Sequence, residues 1–312
     1  MSREKKKKFR KYTWQNHKKD MRRNWALYLV VLPVIAYFFV FHYMPMYGAL
    51  IAFQDYRPSR GFGVDWVGFK HFSRFFKNPF LYRLIRNTLM INVLELVFGF
   101  PAPIVLALIL NEMKNSKFKT LAQTAMYLPN FISSVIICGL IVNFCLTDGL
   151  FNDIIVGLGG KRVSLLQTTK YYRGIYVGSG IWQTVGWGTI IYVAALAGVD
   201  HELYDAASVD GAGKWKQTIH VTIPGIAPTV ITMLILRMGS MLSVGHERTM
   251  LLYNEAIYEV SDVISTYVYR QGMVSNQYSY STAVNMFSQA VNIILLFTAN
   301  KISRKVSETS LW

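Results

Sequence analysis

Six stretches of this chain stay apolar for about twenty residues each, and that length constrains the fold more than any other feature. They run from Trp25 to Met44, Thr88 to Leu110, Leu121 to Phe144, Gly174 to Ala197, Ile226 to Ser243 and Tyr280 to Ala299. Twenty residues of α-helix rise about 30 Å, the depth of a bilayer's hydrocarbon. In that medium the backbone must satisfy its own polar groups, so each stretch predicts a transmembrane helix. The expected fold class is an all-α integral membrane protein with six transmembrane helices. Its expected parts are a basic tail at 1–24, a membrane domain at 25–300 and a short tail at 301–312. The first stretch has no small-residue cleavage site and ends in His42, Tyr43 and Met44, so it reads as a retained span and not as a signal peptide.

Charge placement then orients the helices. A net charge of +16 would suggest nucleic acid as the partner of a soluble chain. Here 52% of residues are apolar, 16% are charged, and the charges lie between the apolar runs, so topology is the better account and no nucleic acid is expected. On the side of the N-terminus, Lys and Arg number eleven in the tail, three in 111–120, two in 198–225 and three after residue 300. The opposite side carries fewer, scattered through longer loops. Both termini and the 198–225 loop are therefore expected in the cytoplasm, with the tail against anionic lipid headgroups. Cys138 and Cys145, seven residues apart on one predicted helix, would lie about 10 Å apart along the axis, too far for a disulfide.

The loop between the fourth and fifth stretches carries the most informative pattern, DAASVDGAGKWKQTIHVTIPGIAP from Asp205 to Pro228. Asp200 is placed to cap a short helix, and Glu202 and Asp205 suit its positive N-terminal end. Ala206 and Ala207 give that helix a smooth face, and after Asp210 a glycine, Gly211, supplies the bend. A second short helix is predicted from Lys214 to Val221, ended by Pro224, which would also open the next membrane helix. The stretch resembles the cytoplasmic "EAA" loop of permease subunits of ABC importers, E-A-A-x-x-x-G followed by an apolar residue and Pro. Asp205, Ala206, Ala207, Gly211, Ile223 and Pro224 hold those places, with Asp for Glu and Ile for Leu as departures. The resemblance implies a coupling helix seated in a groove of an ATPase, with Asp210 among the contacting residues.

Further stretches are similar to permeases of complex-polysaccharide and aldouronate-type importers, mostly from Gram-positive bacteria. They are HYMPMYGALIAFQDYRP, GFPAPIVLALILNEM, YLPNFIS, DVISTYVYR, YSYSTAV and ISRKVSETSLW. This resemblance implies a type I importer permease in the bacterial plasma membrane that carries an oligosaccharide. The partners it implies are a second permease, two copies of a cytoplasmic ATPase and an extracellular solute-binding lipoprotein. ATP and Mg would bind on the ATPases, and no cofactor is expected on this chain. The chain's own motifs agree. Its nearest approach to a phosphate-binding loop, GLGGKR at 157–162, lacks the first Gly and the Mg-ligating hydroxyl. No catalytic constellation or metal-ligand spacing is present, so neither an enzyme nor a metal site is expected.

Within the spans, polar residues mark candidate sites because burial in lipid is costly. Glu95 and Arg237 fall at similar depth and are expected to form an ion pair that holds two helices together, the alternative being that either one faces the translocation path. Asn285, Gln289 and Asn292 recur on one face of the sixth span. Together with Trp182, Gln183 and Trp187 on the fourth they make a candidate sugar path, since amides bond hydroxyls and aromatic faces stack on pyranose rings. The competing expectation for each is interhelical bonding or an interfacial aromatic belt. Gly174 and Gly178, a G-x-x-x-G, with Gly186 and Gly188, suggest close helix packing on the fourth span. An ion-coupled secondary transporter of sugars is the alternative function, although no inverted repeat supports it.

Overall fold

The computed structural model describes residue 21, residues 23–63, residues 65–307 and residue 311. Most of the expected basic tail and part of the C-terminal tail lie outside the described residues. The chain divides into two compact units, Met1–Ile51 and Ala52–Trp312. In the first, helix α1 (Trp25–Phe53) begins, with a π-turn at Phe39–Tyr43.

The second unit is helical, and among its described residues one isolated β-bridge joins Gln54 to Trp66. Its helices are α2 (Lys70–Phe76), α3 (Leu81–Glu112), α4 (Ser116–Phe131), α5 (Ser134–Phe144), α6 (Leu150–Gly157) and α7 (Thr169–Ala197). They continue with α8 (His201–Val209), α9 (Lys214–Met238), α10 (His246–Leu252), α11 (Ile264–Tyr269) and α12 (Tyr278–Ser307). Helices α1, α3, α7, α9 and α12 are each long and apolar enough to cross a membrane.

The third expected span is not one helix. Helices α4 and α5 meet at an angle of 97°. Pro129 closes the first in a 3-10 turn, and Ser133 starts the second, its Oγ accepting from the Val135 amide at 3.3 Å. Apolarity alone ran through this break, whereas Pro129 and the Ser133 cap enforce it.

Prolines elsewhere lie within continuous helices and do not end them. Pro45, Pro101 and Pro224 each follow a turn widened by one residue, in which the amides of Met44, Phe100 and Ile223 bond back five residues to Phe39, Glu95 and Thr218. A proline lacks an N–H, and its ring crowds the carbonyl four residues earlier, so the wider turn relieves the conflict. This corrects the expectation that Pro224 stops a helix. Helix α9 begins at Lys214, inside the polar loop, and runs through to Met238.

Three clusters hold the second unit together. One joins α5 and α7 to the segments at 165–166 and 252–263 through Ile137, Tyr172, Tyr176 and Val263. Another packs α2, α3 and α12 through Phe75, Leu84 and Tyr280. The third, Ala107, Tyr192, Leu196, Val199 and Ile226, lies where α3, α7 and α9 meet beside the polar loop. Close approach on α7 comes from Gly186, where an added Cβ would collide with the Met126 carbonyl, and from Gly188 against Pro103. Gly174 and Gly178 face open space, so the expected G-x-x-x-G contact is absent from this chain's own packing. Cys138 and Cys145 are buried and free.

Candidate coupling surface and intramembrane cavity

The polar loop is built as a closed unit. Asp200 caps α8, Oδ1 accepting from the Glu202 amide at 3.0 Å. At the other end the Ala212 amide donates to the Ala207 carbonyl at 2.9 Å and the Gly211 amide to Ser208 at 3.0 Å. That crossed pair is a Schellman closure, which needs a left-handed residue at Gly211; its φ is +76°. Gln217, buried on α9, donates to Ser208 Oγ at 2.9 Å and to the Ala212 carbonyl at 3.0 Å. Tyr204 donates its hydroxyl to Thr222 Oγ1 at 3.1 Å. The bend thus has its own hydrogen bonds and does not wait for a partner to give it shape.

Its outer face is apolar and open. Leu203, Ala206 and Val209, spaced three apart, share an exposed face of α8, with Leu203 52% and Val209 88% exposed, and Trp215 at the start of α9 is 77% exposed. Asp205, Asp210 and Gly211 are also exposed, while Ala207 is half-buried. Ile223 and Pro224 sit between two and three turns into α9, exposed along its side. The loop's root is rigid: Gly225 lies against Val199, where an added Cβ would come within 2.9 Å of Cγ2, and Ile226 is buried between α3 and α7.

Along α3 a polar row runs inward. Arg173 donates to Asn87 Oδ1 at 2.8 Å, and the Ile264 amide donates to Thr88 Oγ1 at 3.0 Å. Arg237 Nη2 reaches Asn92 Oδ1 at 3.2 Å and Glu95 Oε2 at 2.5 Å. Glu95 and Arg237 line a cavity of about 480 Å³ with Phe100, Gly180, Thr184 and Arg248. Trp182, Gln183 and Trp187 are not on this face of α7. Gln183 Nε2 approaches the Ile132 carbonyl at 3.5 Å, and Trp187 packs edge-on against Phe131. Asn285 and Gln289 are exposed on α12, but Asn292 is buried and committed. Its Oδ1 accepts from the Leu242 amide at 2.8 Å and its Nδ2 donates to Ser243 Oγ at 2.9 Å. The expected continuous face of three amides is therefore two exposed residues and one interhelical clamp.

Arg248, Asn92 and Gln217 were not among the sequence-derived candidates. Arg248 lies beyond the apolar stretch that ended at Ser243, in what reads as an outer loop. The signal available was the pair Gly239 and Gly245, which brackets a helix break. Asn92 and Gln217 are uncharged, and hydropathy gives single amides little weight.

Apolar membrane-length helices joined through a polar bend that is hydrogen-bonded into shape make this a helical integral membrane protein. The chain belongs to the family of binding-protein-dependent transport system inner membrane components, whose model matches residues 99–307. It is a permease subunit of an ABC importer. Protein LplB of Bacillus subtilis (strain 168) is 45% identical over 94% of this chain and 92% of its own length. The polygalacturonan/rhamnogalacturonan transport system permease protein YteP of the same organism is 44% identical over 92% and 90%. A chain from the crystal structure of a bacterial ABC transporter involved in import of the acidic polysaccharide alginate superposes with a TM-score of 0.86. That chain is 40% identical, and the match covers 93% of this chain and 99% of that one.

Proposed function

We propose that this permease forms half of the translocation path for an oligosaccharide and takes its energy through the bend at Asp205–Pro228. The observation that carries the coupling role is the exposed apolar side chains of Leu203, Ala206 and Val209 on α8 and Trp215 on α9, on a bend that is already hydrogen-bonded into shape. Fully burying a side chain of Val or Leu size stabilises an interface by about 1.5–3 kcal/mol, so a matching groove has several such contacts to gain. Displacement of the bend would pass into α9, which is continuous with it, and through Gly225 and Val199 into α7. Such a rigid-body movement, driven as two cytoplasmic ATPases close on ATP and Mg, would alternate access to the path.

The sugar class is supported by relatives named for oligosaccharide transport, among them YteP and an arabinooligosaccharide permease of Bacillus subtilis. A second permease and an extracellular binding lipoprotein complete the complex. In keeping, a related alginate transporter has been solved with an alginate pentasaccharide-bound periplasmic protein. The count of Lys and Arg supports cytoplasmic termini. Family membership disfavours the ion-coupled alternative. Val209→Asp and Leu203→Asp, each placing a charge on that face of α8, should abolish co-purification of the ATPase while the binding protein still docks. Retention of a fully active ATPase by both variants would remove this surface from the coupling role.

A further inference from the structure

The cavity between α3, α7 and the end of α9 holds three charged side chains, Glu95, Arg237 and Arg248. Its volume of about 480 Å³ suits a small-molecule site. Glu95 and Arg237 compensate each other at 2.5 Å. Arg248 has no such partner, because among the described residues no carboxylate lies within ion-pair distance of it. Its guanidinium is held by neutral groups: the Tyr176 carbonyl, Ser179 Oγ at 2.8 Å, and the face of the Tyr176 ring at 4.5 Å. The lining thus keeps one uncompensated positive charge.

Two features show that this cation is held in place. Gly180 is buried directly beneath the guanidinium, and an added Cβ there would overlap its terminal nitrogens. The second feature is the break between α9 and α10, from Gly239 to Gly245. Arg237 precedes it and Arg248 follows it, so the break brings both to one cavity. Asn292, midway along α12, holds the broken backbone by bonding Leu242 and Ser243. Non-helical backbone at membrane depth persists only where protein encloses it or a cavity borders it. Transporters build substrate sites at such interruptions.

We propose that Arg248 recognises a carboxylate in an intramembrane subsite, and that the imported oligosaccharide is acidic. The proposal rests on the oligosaccharide reading above. Nη2 already gives its two hydrogens to the Tyr176 carbonyl and Ser179 Oγ, so Nη1 donates the charge-assisted hydrogen bond to the carboxylate, stronger here than in water because the surroundings are less polar. Thr184 and Tyr192, also on the lining, supply hydroxyls for the sugar ring, and Phe100 an apolar face. A neutral sugar would fill the same space and leave the Arg248 charge uncompensated.

The test measures equilibrium binding of two probes to the purified importer without its binding protein. The probes are trigalacturonate and the same trimer with its carboxyl groups reduced to alcohols. The wild-type complex should bind the acid at least tenfold more tightly than the alcohol. Arg248→Gln should bring that ratio close to one, and Arg248→Lys should restore part of it. Thr184→Asp, which adds a carboxylate to the lining without altering the Arg248 partners, should lower the ratio in the same direction. Equal binding of both probes by wild type, or an unchanged ratio in both Arg248→Gln and Thr184→Asp, would overturn the proposal. Vesicle uptake by the complete wild-type importer separates this from the wider reading. Import of neutral but not acidic oligosaccharides sinks the carboxylate site alone, whereas import of neither sinks both.

Discussion

Arg237 shows how much one side chain can organise inside a membrane. It donates to Glu95, to Asn92 and, at 3.5 Å, to Ser240, so losing one acceptor leaves it two. Glu95 has no comparable reserve in this set of bonds, and that asymmetry yields a prediction. Glu95→Gln should cost about 1.5–3 kcal/mol, the value of one hydrogen bond to a charged group. Arg237→Met strands the carboxylate and should approach the roughly 3–5 kcal/mol of a broken buried pair, less some relief from the cavity. The double variant should recover part of the larger loss. Melting curves of the purified complex check all three, and strictly additive losses would assign the two residues to separate roles. Both residues were legible in the sequence because a charge in an apolar run is conspicuous. Arg248 was not, since its charge becomes unusual only after the break at Gly239–Gly245 folds it back beside Gly180.

At the scale of elements, the bend between α8 and α9 depends on backbone geometry more than on side-chain packing. Gly211 has φ +76°, yet an added Cβ would meet nothing within 4 Å. Substitution there therefore tests conformation alone. Gly211→Val should weaken the bend by about 1–2 kcal/mol, the left-handed penalty of an L-residue. Gly211→Asn should be milder, since Asn also serves at this cap position. The expected phenotype of the Val variant is more ATP hydrolysed per sugar moved, with sugar binding unchanged; tight coupling in that variant would remove the Schellman closure from the mechanism. The sequence announced this bend through Asp200, the alanines and Gly211, all of which act within a few residues. It did not announce the continuity of α9 through Pro224, because a proline reads as a stop until the widened turn at Thr218–Thr222 is seen. The break between α4 and α5 was hidden for a related reason. Hydropathy averages over about twenty residues, while Pro129 and Ser133 act over four.

At the scale of the whole molecule, the chain leaves polar and aromatic surface open along its membrane helices. Asn285 and Gln289 are exposed on α12, and Trp182 and Trp187 are half exposed on α7. Amides are costly against lipid, so an exposed pair four residues apart suits a water-filled path or a partner helix. Asn292, one turn further, differs because both ends of its amide are already engaged. The three residues looked equivalent in the sequence, where periodicity places a residue on a face but does not show what that face meets. They should separate by measurement. Asn292→Leu leaves the Leu242 amide and Ser243 hydroxyl without their partner, a loss of about 1–3 kcal/mol for each buried group left unpaired. It should lower the melting temperature and the yield of complex, and complexes that survive should transport sugar at the normal rate. Asn285→Leu and Gln289→Leu should do the reverse, leaving the melting curve in place while slowing initial uptake per folded complex. If instead both exposed variants melt early and transport normally once folded, those amides bind the second permease and do not line the path.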